Sequence, residues 1–578
     1  ELDRKKSDLL RSYEQAYNER DKRDSGSYAG EYLRHFLEGE PSQGIERELE
    51  LVRELLPSIG LEQINRLAQR WISEANRVVL VSGPEKTEVP LPAEETLAEI
   101  FRAVEGSQIE AYVDEVRREP LLAETPEPSP VVDERTIEGV GVTEWRLANG
   151  VRVVLKPTDF KNDQVLLTGF SPGGHSLVAD EYYTSAAFAA AVVGEGGLGT
   201  FSQVELEKAL AGKLAGARAY IGELEEGVNA SAAPQDLETM FQLLYLAITS
   251  PRADREAFQA FTARLEASLE NRHARPEAVF QDRITLALYQ GHPRRRPPSL
   301  EMLDEIRLDT ALEVYRDRFR DADDFTFILV GRFDLETIRP LVETYLGGLP
   351  STERQESWRD VGVQTPDGIV ELQVRKGLEP KSRIRLIFGG PAQWSRESVH
   401  DIRSLAAAFR IRLREILRED LGATYGVSVG GSIDDRPRGR FAFSIGLGCA
   451  PENVERMLET IFAEIDSLRR QGLDESYAQK VRESQLRRRE TDLKENPFWL
   501  AALKLYYARG LDPRLLLDFD RLVERVTPAN LKASAERYLD AERYLLGVLY
   551  PAEADSASTL ESAAAAADSP RAGQARSF

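Results

Sequence analysis

Three stretches of this 578-residue chain repeat one plan, and that repetition limits what the whole can fold into. "LEQINRLAQRWISEANRVVLVSG" (61–83), "LDTALEVYRDRFRDADDFTFILVG" (308–331) and "PANLKASAERYLDAERYLLGVLYP" (528–551) share it. Each carries apolar residues at helical spacing, an aromatic near the helix end (Trp71, Phe319, Tyr538), a polar turn and an apolar, β-rich run. A helix-then-strand unit recurring at intervals of about 220–250 residues implies domains of that size, each closing in the same way. The first copy arrives so early that its domain is expected to lack its front part.

The openings of the domains agree. "TEWRLANGVRVVLKPTDFKNDQVLLTGFSPGG" (143–174) alternates apolar and polar residues around Asn149 and Gly150, a hairpin signal. "GIVELQVRKGLEPKSRIRLIFGG" (368–390) is a second strand-rich opening. Pro- and Glu-rich "REPLLAETPEPSPVVDERTIEG" (118–139) reads as an extended linker, and "GGLPSTERQESWRDVGVQTPDG" (347–368) as a shorter one. The expected layout is a truncated domain over 1–90, a linker over 91–135, a domain over 136–352, a linker over 353–366, a domain over 367–553 and a disordered tail over 554–578. Strand pairs followed by long helices predict an α+β fold, with helices on one face of mainly antiparallel sheets.

Composition narrows the function classes. A formal net charge of −22 with no basic domain argues against a general nucleic-acid binder. Cys449 is the only cysteine, so no internal disulfide is possible. No apolar run approaches the ~20 residues that cross a bilayer as a helix.

The hairpin "LANGVRVVLKP", the stretch 206–254, "EPKSRIRLIFGG" and "LREDLGATYGV" (417–427) together resemble the pitrilysin/insulinase (M16) superfamily of zinc peptidases, most nearly its bacterial PqqL-like members. The resemblance runs from about residue 30 to residue 553. It implies four homologous domains in two halves that close like a clamshell around a peptide chamber. On that plan residues 1–90 finish the second domain, and this chain is the C-terminal half, the one that binds no zinc.

Peptidases of that family hold zinc through H-x-x-E-H on a helix: two imidazoles one turn apart reach one metal and the Glu activates its water. The five histidines here are His35, His175, His273, His292 and His400, and none sits in such a motif. "HFLEG" comes nearest, with His35 and Glu38, but Gly39 stands in the place of the second imidazole. The helix expected to correspond to the metal helix, "DEYYTSAAFAAAVVGEGG" (180–197), offers Ser, Ala and Phe instead. The chain alone is therefore expected to be inactive and to contribute no zinc ligand or general base. Zinc would be bound by an N-terminal catalytic half, on the same polypeptide or a separate subunit.

The resemblance assigns a role to Arg418 and Tyr425, seven residues apart across a glycine break. In the family, an Arg and a Tyr at that spacing in the inactive half contact the substrate backbone and the developing oxyanion. A permanent cation and a phenol donor suit that task. The helix 401–420 is expected to end near Gly422, a residue able to take φ > 0. By the residues alone, an Arg on a solvated helix end and a Tyr packed in a sheet read as well.

Other motifs carry less. "GEGGLG" (194–199) follows a helix rather than a strand, so it reads as a loop and not as a dinucleotide site. The Arg294–Arg296 loop in "HPRRRPPS" reads as a solvated connection or a contact to a partner or substrate carboxylate. Phe498 and Trp499 read as core or interdomain packing.

The expected function is the non-catalytic half of a zinc metalloendopeptidase that closes a chamber and binds peptides or small unfolded proteins, partly through an edge strand. The alternative is a catalytically dead scaffold subunit. Similarity to exported bacterial proteins points to the periplasm.

Overall fold

A computed structural model describes residues 1–72, 76–83, 90–108, 110, 113–114, 116–117, 119–420 and 424–552, with side chains set aside at 418–420 and 424–425. Gly422 and the expected tail over 554–578 lie outside the described residues. The chain divides into two compact units, one of Glu1–Pro120 with Val204–Leu214, the other of Leu121–Gln203 with Ala215–Phe578.

The first unit is helical: α1 (Leu2–Asn18), α2 (Ser25–Glu38), α3 (Ile45–Leu55), α4 (Leu61–Trp71) and α5 (Glu94–Glu105). α1 packs on α3, and Asp114 gathers Arg4 and Lys208, the latter at 3.1 Å. Two expectations change here. The stretch 91–135 is not a plain linker, because it contains α5 and the first residues of a strand. The apolar run at 77–83 follows its helix as expected, yet no strand forms there and Val78 is 91% exposed. A strand needs neighbours to complete its hydrogen-bond ladder, and this segment has none among the described residues.

The second unit holds two sheets. The strands of the first are β1 (Val131–Ile137), β2 (Val142–Leu147), β3 (Arg152–Pro157), β4 (Val165–Pro172), β5 (Ala215–Ile221), β6 (Glu225–Ala232) and β7 (Thr326–Gly331), in the order β1-β2-β3-β7-β4-β6-β5. Those of the second are β8 (Ile369–Arg375), β9 (Ser382–Pro391), β10 (Thr424–Asp434), β11 (Arg440–Cys449) and β12 (Tyr544–Tyr550), in the order β10-β11-β9-β12-β8. Each sheet has one parallel pair, β3 with β7 and β8 with β12, and is otherwise antiparallel. Thus β3-β7-β4-β6-β5 and β8-β12-β9-β11-β10 are one topology used twice. The predicted hairpin forms where expected: Leu147 N–H donates to Val151 O at 2.9 Å. Gly150 has φ 95°, and a Cβ there would fall 2.6 Å from Asp323 Cβ.

Helices follow the same repetition. The first repeat has α6 (Tyr183–Gly196), α7 (Gln203–Ala209, almost wholly in the first unit), α8 (Leu237–Thr249), α9 (Arg255–Glu270), α10 (Pro276–Leu288), α11 (Glu301–Glu305), α12 (Leu308–Arg318) and α13 (Leu335–Leu341). The second has α14 (Arg396–Arg414), α15 (Val454–Gln471), α16 (Glu475–Asp492), α17 (Asn496–Ala508), α18 (Phe519–Glu524) and α19 (Pro528–Tyr538). The α12–β7 and α19–β12 pairs are the later two copies of the repeated motif.

The α+β class holds, with one amendment to the helix placement. One face of the first sheet buries Trp145, Val153, Leu155 and Phe327 against α6, α8 and α12. The opposite face buries Val154, Phe170, Ile328 and Val330 against Trp499 and Leu503 of α17, which belongs to the second repeat. In return Phe280 and Ile284 of α10 cover Val374, Leu545 and Leu549 of the second sheet. The exchange buries both faces of each central strand. Phe498 and Trp499 accordingly pack in this seam.

The stretch 353–366 is also no free linker. Asp321 receives the Arg354 N–H at 2.5 Å, Ser176 Oγ the Arg359 N–H at 2.9 Å, and Val363 O is held by Arg440 Nη2 at 2.8 Å. Anchored to both repeats, it is a strap across them.

Candidate functional site

The residues singled out by the sequence lie on two adjoining elements of the second repeat. α14 begins with a capping box, in which Ser395 Oγ accepts the Ser398 N–H at 3.0 Å and Ser398 Oγ the Ser395 N–H at 2.8 Å. Its inner face, Ile402, Leu405, Phe409 and Leu413, enters the core. The helix does not run uniformly to 420 as expected: after Arg414 it winds into a π-helical turn, Glu415–Asp420, with Leu417 still fully buried. Such turns carry wider i→i+5 pairing and often mark functional places.

The turn is anchored on both flanks. Arg412 grips Glu464 of α15 with two donors, Nε at 2.9 Å and Nη2 at 3.2 Å. Glu415 accepts from the Tyr477 hydroxyl and from Lys480 Nζ at 3.2 Å, both on α16. The Tyr477 hydrogen bond, reinforced by Lys480, holds the Glu415 carboxyl below its usual range. These anchors were not foreseen, since Arg412 and Glu464 lie 52 residues apart and nothing local marks the pairing.

Arg418 has its backbone in the π turn, and Tyr425 is the second residue of β10. α14 and the turn both pack on β10, so the two supporting elements adjoin. The side chains of Arg418 and Tyr425, and residues 421–423 between them, lie outside the described residues. β10 pairs with β11 from Thr424↔Cys449 to Asp434↔Arg440, with an irregular step between Thr424 and Val427.

The first repeat does not offer a zinc site. Among the described residues no three of His, Cys, Asp or Glu converge as metal ligands. α6 turns Thr184, Ser185, Ala186, Ala189, Val192 and Val193 into the core. His175, near its start, packs edge-on against Tyr183 at 5.2 Å, and burial pushes its imidazole down to about 4. His35 is exposed, with Nδ1 2.6 Å from Glu40 O. These donors do not fit zinc.

The basic loop is structural. Arg294 is 5% exposed and donates to Asp180 at 2.7 Å, His175 O at 2.9 Å and Val178 O at 2.5 Å. Arg295 pairs with Glu223, and Arg296 with Glu305. "GEGGLG" is the packed end of α6: Gly197 has φ 92°, and a Cβ there would lie 2.2 Å from Phe201 O.

Residues 306–485 match the family model described as "Peptidase M16 inactive domain". By sequence the chain is 27% identical over 571 residues to "Zinc protease PQQL-like" of Arabidopsis thaliana, across 94% of this chain and 57% of that protein. It is 21% identical over 573 residues to "Probable zinc protease PqqL" of Escherichia coli (strain K12), across 95% and 59%. In fold it is similar to the periplasmic protease PqqL from Escherichia coli, with TM-score 0.66, 18% identity and coverage of 94% and 60%. It is similar also to the ferredoxin protease FusC crystallised with Arabidopsis ferredoxin, with TM-score 0.68, 19% identity and coverage of 92% and 58%. The chain thus spans less than two thirds of the length of these relatives. No helix among the described residues is long and apolar enough to cross a membrane. Residues 306–485 thus resemble a Peptidase M16 inactive domain, and over most of its length the chain is similar to proteins described as PqqL-like zinc proteases.

Proposed function

We propose that this chain is the non-catalytic half of a zinc metalloendopeptidase. It binds a peptide and completes a chamber whose metal and general base belong to an N-terminal counterpart. The observation that carries the reading is in the first unit. Trp71 of α4 is 75% exposed, whereas its counterparts in the two later copies, Phe319 and Tyr538, are 1% and 2% exposed against their own sheets. Phe36 and Leu61 are open as well. Large apolar side chains left open on α2 and α4 call for cover, and a counterpart half would supply it. The inactive-domain match over 306–485 supports the same reading.

On this reading Arg418 and Tyr425 donate hydrogen bonds to the scissile carbonyl and stabilise the charge that grows on its oxygen. Peptides or small unfolded proteins are the substrates. The description of the Escherichia coli neighbour as a periplasmic protease supports a periplasmic setting.

The test is the assembled enzyme, with both halves present. Arg418→Ala and Tyr425→Phe should each lower kcat/KM by about 100-fold, the typical loss for one oxyanion donor, without loss of bound zinc. Unchanged turnover in both variants would overturn the assignment and leave a scaffold.

A further inference from the structure

We infer that Arg146 and Arg152 form a binding site for a small oxyanion, the phosphate or carboxylate group of a compact organic molecule. The cleft that holds them lies wholly within the second unit, so the inference stands apart from the half-enzyme reading.

Successive residues of a strand point to opposite faces of its sheet. On the face that α17 covers, Val142 and Val154 lie in the apolar seam with Trp499 and Leu503. Further along, the same face presents Glu144 and Arg146 of β2 and Arg152 of β3. α17 ends at Ala508 and the chain turns away at Gly510, which has φ 65°, so no part of α17 covers this charged end. What remains is an open cleft of about 710 Å³, walled on one side by β1, β2 and β3 and on the other by residues 510–514. That volume falls within the roughly 300–1,000 Å³ of small-molecule sites.

Most charges in the cleft are matched. Arg135 pairs with Glu144 at 3.2 Å, and the Tyr507 hydroxyl donates to the same carboxylate, tying α17 to β2. Arg514 pairs with Asp512 at 2.5 Å. Arg146 and Arg152 are different. They are direct cross-strand partners, so their side chains leave the sheet side by side on one face. Like charges so placed destabilise a sheet. Asp133 is the other cross-strand neighbour of Arg146, and Asp323 feels its charge. Even so, among the described residues no carboxylate closes to ion-pair distance of either arginine. Glu138 lines the other end of the cleft, past Ile137. Both arginines are exposed, so a ligand reaches them from solvent. An oxyanion between them would accept from two guanidinium forks and cancel their repulsion.

The facing wall is fixed from behind. Arg396 donates to Leu515 O and Arg489 to Leu516 O, holding the turn that follows residues 510–514. The Leu511 N–H donates to Tyr506 O at 2.9 Å. Leu511 and Pro513 on that wall offer apolar surface to the body of the ligand. A wall already held in place loses little entropy on binding.

The experiment is calorimetric titration of the full chain at low salt with inorganic phosphate and, separately, with succinate. It is repeated on the double variant Arg146→Gln, Arg152→Gln. The native chain should bind at least one of the two anions saturably, and the double variant at least about tenfold more weakly. Without ligand the double variant should melt at or above the native temperature, because the like-charge contact is gone. Arg488→Gln, which alters an exposed arginine on α16, should bind as the native chain does. Binding of phosphate alone assigns the site to phosphate esters, and of succinate alone to dicarboxylates. Binding of neither, or equal binding by the native chain and the double variant, would overturn the inference. So would an equal loss in Arg488→Gln, which would mean diffuse charge, or a double variant that melts well below the native chain, which would mean that the two arginines serve the fold.

Discussion

The Thr158 hydroxyl donates to the Asn496 side-chain oxygen at 2.6 Å, joining two residues 338 positions apart across the seam between the repeats. Asn496 is wholly buried, and its amide donates in turn to Gln164 Oε1 at 3.0 Å. Asn496→Ala would strand both partners and should lower stability by about 1–3 kcal/mol in urea unfolding. A single shared transition for both repeats is expected, since each sheet is covered by the other's helix.

Lys156 and Trp499 form a second contact in that seam. The ammonium lies 3.9 Å from the ring centroid and donates to Val140 O at 2.6 Å, and among the described residues no carboxylate pairs with it. Burial pushes its pKa from 10.5 down to about 8. The folded value is the lower one, so between pH 8 and 10.5 the unfolded chain binds more protons and stability rises with pH. Measured against Lys156→Met, the native protein should therefore gain stability across that window, by on the order of 3 kcal/mol at its top. Parallel urea curves for the two proteins at pH 7.5 and at about pH 10, a setting chosen to bracket the window, test this.

Arg294 is held by three acceptors and faces the Tyr183 ring at 5.1 Å. Arg294→Ala should cost about 1–3 kcal/mol, the range for leaving buried hydrogen-bonding groups unsatisfied, here the His175 and Val178 carbonyls, since Asp180 itself is exposed. Exposed Arg295→Ala should lie near the 0–1 kcal/mol of surface pairs. Thermal unfolding of the two variants separates a structural loop from a solvated one.

The open face of the first unit makes a prediction about assembly. Phe36→Ser with Trp71→Ser removes two exposed aromatics without disturbing a core. The double variant should bind less of an apolar dye than the native chain and should associate more weakly with the catalytic counterpart. Equal association would mean that this face is not where the halves meet.

Much of this architecture is legible in the residues. The 3.6 spacing in 308–318 and 528–538 marks helices, and Asn149 with Gly150 marks a hairpin, because these signals are local. The π turn at 415–420 was not legible, since what holds it in place, Glu464 and Tyr477, comes from distant helices. In sequence the arginine loop reads as solvated or partner-facing, because its acceptors, Asp180 and two backbone carbonyls, are more than 110 residues away.

The sequence by itself determined the repeated helix-then-strand unit, the α+β class and the want of a histidine motif, all of which depend on residue type and spacing along the chain. Only the tertiary structure decided which apolar runs become strands. "TFILVG" at 326–331 and "YLLGVLY" at 544–550 lie between neighbours and are buried, whereas the equally apolar run at 77–83 forms no strand. Tertiary structure likewise slid β7 between β3 and β4, and sent α17 and α10 to cover each other's sheets. The reason is physical: periodicity states which face of a segment avoids water, but hydrogen-bond partners and apolar cover come from whatever the rest of the chain brings alongside.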